Sequence, residues 1–317
     1  MYNKKITITG AGGFIGSVLV SELLKSPCNL IRVSRKTLLP LLGCEDIKAD
    51  IQKLSTWIKI VESSDIIYHL AGNTSAYYAN NYPASSLRST LLPLNLLIQA
   101  SKRLNKKPKV VFASTATIYG DTSRLSVNEM FEPNPETVYD LHKLFFEKQL
   151  ALASDQNILN GISLRLSNVY GPSLSISNSQ DRGILNKIAV MAMQRKDITL
   201  YGDGNYLRDY IYIDDAVNAF IKVGLSRDQI SGVFNVSSGV SVSLKDAFSL
   251  IADYASILTK SKINIKHAPL PNNFNSIELR NYIADVSKIK KIFGWKSKID
   301  LEAGIKYMLD NNKKSFV

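Results

Sequence analysis

Tyr139 and Lys143 stand four residues apart in TVYDLHKLFFEK, just after a proline-containing loop. On a helix, positions i and i+4 share a face. A free tyrosine has a pKa of about 10 and is a poor base at neutral pH. A lysine ammonium close by favours the phenolate. Such a tyrosine could give or take a proton at a substrate oxygen. About 25 residues earlier, VVFASTATIYG puts Ser114, Thr115 and Thr117 at the exit of a predicted strand. The Thr115 hydroxyl could hydrogen-bond the same substrate oxygen and stabilise developing charge. Each residue alone has a bland reading, because the chain holds 15 tyrosines and many lysines. The elements around them must decide.

KKITITGAGGFIGSVLVSELLKS is the most informative of these elements. Residues 4–9 alternate and predict a strand. Glycines follow at Gly10, Gly13 and Gly16. Phe14, Ile15, Val18, Leu19 and Leu23 then recur at helical spacing. In this order Gly10 permits a tight turn, Gly13 lets the backbone approach a pyrophosphate, and Gly16 lets the helix pack on the sheet. The helix N-terminus holds the anion. The next strand, NLIRVSR, ends in Ser34, Arg35 and Lys36. A serine and two cations suit a 2′-phosphate, so NADP(H) is favoured, with NAD(H) as the alternative. Asp50-Ile51 of KADIQK falls in the loop after a short strand, on the adenine side of such a fold.

Strand and helix signals alternate through the first half: DIIYHLAG, LPLNLLIQASKRL, KVVFAST, YDLHKLFFEKQLALAS, GISLRLSNVYGP. This predicts an α/β fold, a Rossmann-type doubly wound parallel sheet with ligands at the carboxyl ends of its strands. From about residue 172 the elements shorten and mix, after the polar run SLSISNSQDRG. We expect a dinucleotide-binding domain over residues 1–172 and a smaller mixed α/β substrate lobe over 173–317. Segments at about 208–240 are expected to return to the first domain.

The net charge is +12, but the cations are dispersed and no stacked aromatic pattern accompanies them. Nucleic acid is therefore not expected as a partner, whereas an anionic small molecule fits. No apolar run is long enough to span a membrane, and a glycine comes too early for a signal peptide. A cytoplasmic protein is expected. Cys28 and Cys44 read as reduced thiols, and His69, His142 and His267 are scattered, so no metal site is expected.

TGAGGFIG, HLAG, FASTATIYG, YDLHK, LRLSNVYGP, YGDGNYLRDYIYIDD and IADVSKIKKIFGW occur in an order that resembles extended short-chain dehydrogenases/reductases. In particular the chain resembles the NAD-dependent epimerase/dehydratase family acting on nucleotide sugars, over residues 4 to about 310. The resemblance implies cofactor contacts at Gly10, Gly13, Phe14, Ile15, Gly16, Asp50, Ile51, Leu70, Ala71, Gly72 and Val169, with Arg35 added by the charge argument. It implies a catalytic triad of Thr115, Tyr139 and Lys143, the last two also touching cofactor. It implies substrate contacts at Thr115 and Asn168, and at Arg208 and Arg280 on the diphosphate. It also implies a homodimer formed through helices near residues 90–104 and 139–154. Family dehydratases carry Asp-Glu after the catalytic Thr; here Ala116-Thr117 follows, which argues against dehydration. The family's Asn-x-x-Gly-Thr helix motif is reduced to Ser89, Leu92 and Pro93.

The leading expectation is a nucleotide-sugar 4-ketoreductase, acting with NAD(P)H on a 4-keto-6-deoxyhexose for polysaccharide biosynthesis. Arg35 favours it, because a reductase exchanges its cofactor each turnover. A nucleotide-sugar 4-epimerase with bound NAD is the alternative. A non-catalytic dinucleotide-binding protein is the third reading.

Overall fold

The computed structural model describes residues 4–122, 125–172, 183–227, 229–271 and 279–316, the last few without their side chains. Most of the polar run after residue 172 lies outside them. The chain opens with β1 (Lys5–Thr9), α1 (Phe14–Leu23), β2 (Asn29–Ser34) and β3 (Cys44–Lys48). Then come α2 (Leu54–Glu62), β4 (Ile66–His69), α3 (Ala76–Asn81), α4 (Pro83–Leu104) and β5 (Lys109–Thr115). A short 3-10 turn (Ala116–Tyr119) precedes α5 (Val138–Asp155) and β6 (Asn160–Leu166). The remainder is β7 (Asn168–Tyr170), α6 (Ile184–Met193), β8 (Ile198–Tyr201), β9 (Leu207–Tyr212), α7 (Ile213–Leu225) and β10 (Gly232–Val236). It ends with β11 (Ser241–Ser243), α8 (Leu244–Thr259), β12 (Ile265–Ala268), α9 (Ser287–Phe293) and α10 (Leu301–Phe316).

Seven strands form one sheet in the order β10-β6-β5-β4-β1-β2-β3. Every pairing in it is parallel. Parallel strands covered on both faces must be apolar on both, and β4 (IIYH) is buried throughout. In β5, Val111 joins the core on one face, with Leu19 of α1 and Phe220 of α7. Its neighbours Val110 and Phe112 join the opposite core, with Trp57 of α2, Leu97 of α4 and Phe146 of α5. This is the doubly wound Rossmann-type α/β fold. The order reverses between β1 and β4, so the crevice at the carboxyl ends of β1, β4 and β5 is where such sheets take ligands.

The later strands build two small sheets, β11-β9-β7 and β12-β8, packed with α6, α8 and α10. β10 lies late in the chain yet pairs with β6 in the main sheet.

β6 buries Arg165, which an apolar strand should exclude. Arg165 forms an ion pair with Glu147 of α5, Nη2 to Oε2 at 2.7 Å. Ser114 Oγ donates to Glu147 at 2.5 Å, and Arg165 Nη1 donates to the Tyr119 hydroxyl at 2.8 Å. Tyr119 in turn donates to Asn235 of β10. A buried charge is tolerated when it is paired and hydrogen-bonded. This network ties α5 to β5, β6 and β10, and so sets where the first turn of α5 stands against the end of β5.

Candidate active site

The glycine loop is shaped by backbone contacts. Gly10 has φ +74°, the left-handed region that favours glycine. A Cβ there would lie 2.7 Å from the Ala71 nitrogen, so the loop after β1 and the turn Leu70–Gly72 after β4 touch. A Cβ on Gly16 would lie 2.2 Å from the Gly10 carbonyl, so α1 rests directly on the loop. Gly13 N–H donates back to that carbonyl at 2.9 Å. α1 has no side-chain cap at Gly13 and no acid in its first turn. Its leading N–H groups are therefore available to an anion. Gly72 has open space around its Cα.

The other cofactor candidates rim this cradle. Arg35 and Lys36 are exposed just past β2, with Ser34 Oγ accepting from the Lys36 N–H. Asp50 and Ile51 follow β3; Asp50 accepts from the Gln52 N–H, and the Ile51 carbonyl accepts from the Trp57 indole. Phe14 and Ile15 open α1, and Val169 is half-buried in β7. A cradle of closely packed backbone at an uncapped helix start fits a pyrophosphate-linked dinucleotide.

A cavity of about 750 Å³ opens beside it. Thr115, Tyr139, Asn168, Arg208 and Arg280, predicted from five separate segments, all line it. Lys143 does not; it lies behind Tyr139. Its Nζ donates to the Ala113 carbonyl at 2.8 Å and sits 4.6 Å from the Phe112 ring centroid and 5.7 Å from that of Tyr139. Arg208 and Arg280 are buried together, with Arg208 Nη1 donating to the Arg280 carbonyl. Asn168 Nδ2 reaches the Asp209 carbonyl at 3.4 Å.

α5 begins where it does because Thr137 caps it. Thr137 Oγ1 accepts from the Asp140 N–H and donates to Asp140 Oδ2 at 2.6 Å. Asn80 of α3 accepts from the Val138 N–H at 2.9 Å. These bonds hold Tyr139 at the cavity wall, which Thr115 also lines.

The electrostatics depart from the simple sequence argument. Burial pushes Tyr139 well above the usual tyrosine value, and the Asp140 charge adds to this; the nearby Thr115 hydroxyl opposes it. Burial pulls Lys143 down to about 8, against the Glu147 carboxylate, which holds it up. The protein alone thus keeps Tyr139 protonated. A further positive charge at the site is needed to make it a base.

Sequence reasoning passed over Asp140, which lines the cavity and is almost wholly buried. The Thr-x-x-Asp spacing from Thr137 is a legible helix-start pattern, but nothing local shows that its second oxygen meets Thr117. Lys187 of α6, together with Tyr201 and Tyr206, also lines the cavity without any motif to mark it. His142 turns to α4, with Nδ1 3.0 Å from Ser86 Oγ. Among the described residues no cluster of metal-binding side chains occurs, and no helix is long and apolar enough to cross a membrane.

The chain is similar to known proteins along nearly its whole length. An uncharacterised UDP-glucose epimerase of Bacillus subtilis is 27% identical, over 95% of this chain and 95% of its own length. The crystal structure of UDP-glucose 4-epimerase from Thermotoga maritima, with UDP-glucose, matches at TM-score 0.87 and 25% identity, covering 98% of this chain and 99% of that one. MoeE5 in complex with UDP-glucose and NAD matches at TM-score 0.85 and 25% identity, covering 99% and 100%. The sequence profile of the NAD dependent epimerase/dehydratase family matches residues 6–237, and the chain belongs to that family of short-chain dehydrogenase/reductase-type enzymes.

Proposed function

We propose that the protein is a nucleotide-sugar 4-epimerase. One observation carries the reading: a single cavity holds the Thr115–Tyr139 pair together with the guanidinium pair of Arg208 and Arg280. Guanidinium groups match a diphosphate in charge and planar geometry. A nucleoside diphosphate held there would leave its sugar against Tyr139. The full-length likeness to UDP-sugar epimerases supports the same substrate class.

The cradle of Gly10, Gly13, Phe14, Ile15 and Gly16 would hold the cofactor pyrophosphate. Asp50 and Ile51 would meet its adenine, Leu70–Gly72 its phosphates, and Lys143, Tyr139 and Val169 its nicotinamide end. Bound NAD supplies a reversible hydride acceptor for sugar C4 and a positive charge near the phenol. Tyr139 takes the proton from O4 as C4 is oxidised. It returns the proton after the 4-keto sugar has presented its other face. Thr115 holds the O4 position, and Asn168 steadies the sugar. Ala116 is buried in the core and Thr117 carries no carboxylate, so the family dehydratases' Asp-Glu pair has no counterpart at those positions.

The expected result is that purified protein interconverts UDP-glucose and UDP-galactose with no nicotinamide added, followed by chromatography of the two sugars. A second reading, 4-ketoreduction with NADPH, is favoured by one observation, the exposed Arg35 and Lys36 past β2. NADPH consumption with a nucleotide 4-keto-6-deoxyhexose, and no interconversion of UDP-hexoses, would replace the first reading by the second. We also propose a homodimer through α4 and α5, which pack together and leave Leu87, Leu141, Phe145 and Leu152 exposed. Light scattering should give twice the chain mass of 35.2 kDa; a monomer would remove that proposal.

A further inference from the structure

Lys143 is a buried cation, and its charge must be held by what surrounds it. Its Nζ donates to the Ala113 carbonyl at 2.8 Å. Burial works against the charge, and the Glu147 carboxylate, four residues on, works for it. Glu147 is already committed elsewhere. It pairs with the Arg165 guanidinium at 2.7 Å and accepts from Ser114 Oγ. The Arg165 charge offsets its field at Lys143.

The remaining close group is a ring. Nζ lies over Phe112, 4.6 Å from the ring centroid. The face of an aromatic ring is negative and attracts a cation within about 6 Å of its centroid, most strongly where water is excluded. Phe112 is buried, so the contact is dry. The plane of the ring is fixed by its neighbours. Phe146 stacks on it with centroids 3.6 Å apart and planes 10° from parallel. His69 in turn stacks on Phe146, centroids 5.3 Å apart. Phe112 stands on β5, three residues before Thr115, and Lys143 stands on α5, one turn after Tyr139.

We propose that Phe112 is a positioning residue: the face of its ring holds the Lys143 ammonium, charged, beside Tyr139. Phe112 does not line the cavity and acts only through Lys143. The contact stands on its own geometry; its effect on turnover rests on the reading of Tyr139 as the acid–base group.

The other titratable groups around Lys143 leave this task to the ring. His69 of β4 stays neutral, because burial pulls it down to about 3 and the Lys143 charge adds to this. Asp140 of α5 accepts from Thr117 and Thr137. Arg165 of β6 is paired with Glu147. The cations of α4, Arg88, Lys102 and Arg103, are exposed. Tyr139 is kept neutral by burial.

The test alters the face of the ring and leaves its shape. Phe112 is replaced, by site-specific incorporation, with mono-, di- and trifluorophenylalanine, since each fluorine draws electron density from the face. The Lys143 midpoint is followed by carbon-13 NMR of its Cε in the purified protein, assigned by the signal lost in Lys143→Met. It should fall stepwise, by about one pH unit over the series, the worth of a desolvated cation–π contact. The alkaline limb of kcat/KM with UDP-glucose should move to lower pH with it, because the charged form is lost earlier. Turnover well below the midpoint, and melting temperature, should hold. Phe112→Leu removes the face altogether and should lower the midpoint as well. It also opens space against Phe146, so the fluorinated series decides. A midpoint that stays in place across the series overturns the inference. So does a midpoint that falls while the alkaline limb stays. Neither result touches the acid–base reading. Full turnover in Tyr139→Phe would remove that reading, and the NMR series would still judge the ring.

Discussion

Tyr139→Phe is expected to lower turnover by roughly 10²- to 10⁴-fold, the range found for positioned acid–base groups. The ring keeps its place at the cavity wall, so melting temperature and nucleotide-sugar affinity should change little. A companion pH profile should show the part played by Lys143. Its ammonium is buried and its pKa is pulled down to about 8. The charge is therefore complete well below that value and fades as pH rises through it. Because kcat/KM reports the groups of the free enzyme, it should decline over that range. A profile flat through that range would show that the Lys143 charge does not matter to the chemistry.

Gly16→Ala is expected to have the second large effect. The added methyl would sit 2.2 Å from the Gly10 carbonyl oxygen and 3.0 Å from Ala11 Cα. Both are backbone atoms, so no side chain can swing aside. α1 must move outward, at a cost of about 1–3 kcal/mol, as for other overpacked sites. The same shift withdraws the helix N–H groups from the pyrophosphate. NAD affinity should fall at least tenfold, about 1.4 kcal/mol, measured by fluorescence titration beside a thermal melt. Unchanged NAD affinity would mean that the glycine loop does not hold the cofactor.

These two sites differ in how they could be read. The glycine loop is a local object. Strand, turn and helix follow one another within about twenty residues, and each glycine's task depends on its near neighbours or on the strand exit beside it. The hydrophobic periods of β1, α1, β2, β5, α5 and β6 were legible for the same reason. So was the alternation that makes a doubly wound sheet. Tyr139 and Lys143 were legible because i and i+4 on one helix must share a side.

Arg208 and Arg280 could be placed in the cavity only by resemblance, since 72 residues separate them and no spacing rule brings them together. The reach of Asp140 to Thr117 was not legible, because it depends on how α5 docks on the end of β5. That docking is set by the buried Glu147–Arg165 pair and its bonds to Ser114 and Tyr119. The direction of the Tyr139 shift was hidden for a related reason. A sequence shows the Lys143 charge but not the burial that, with the Asp140 charge, pushes Tyr139 up.

The sequence by itself determined the fold class and marked the glycine loop and the Tyr139–Lys143 pair as candidates, because each rests on short-range periodicity and spacing. Only the tertiary structure decided which groups share a cavity and in which direction burial moves each acid. Desolvation and hydrogen-bond partners belong to side chains that meet across the fold, from segments far apart in the chain.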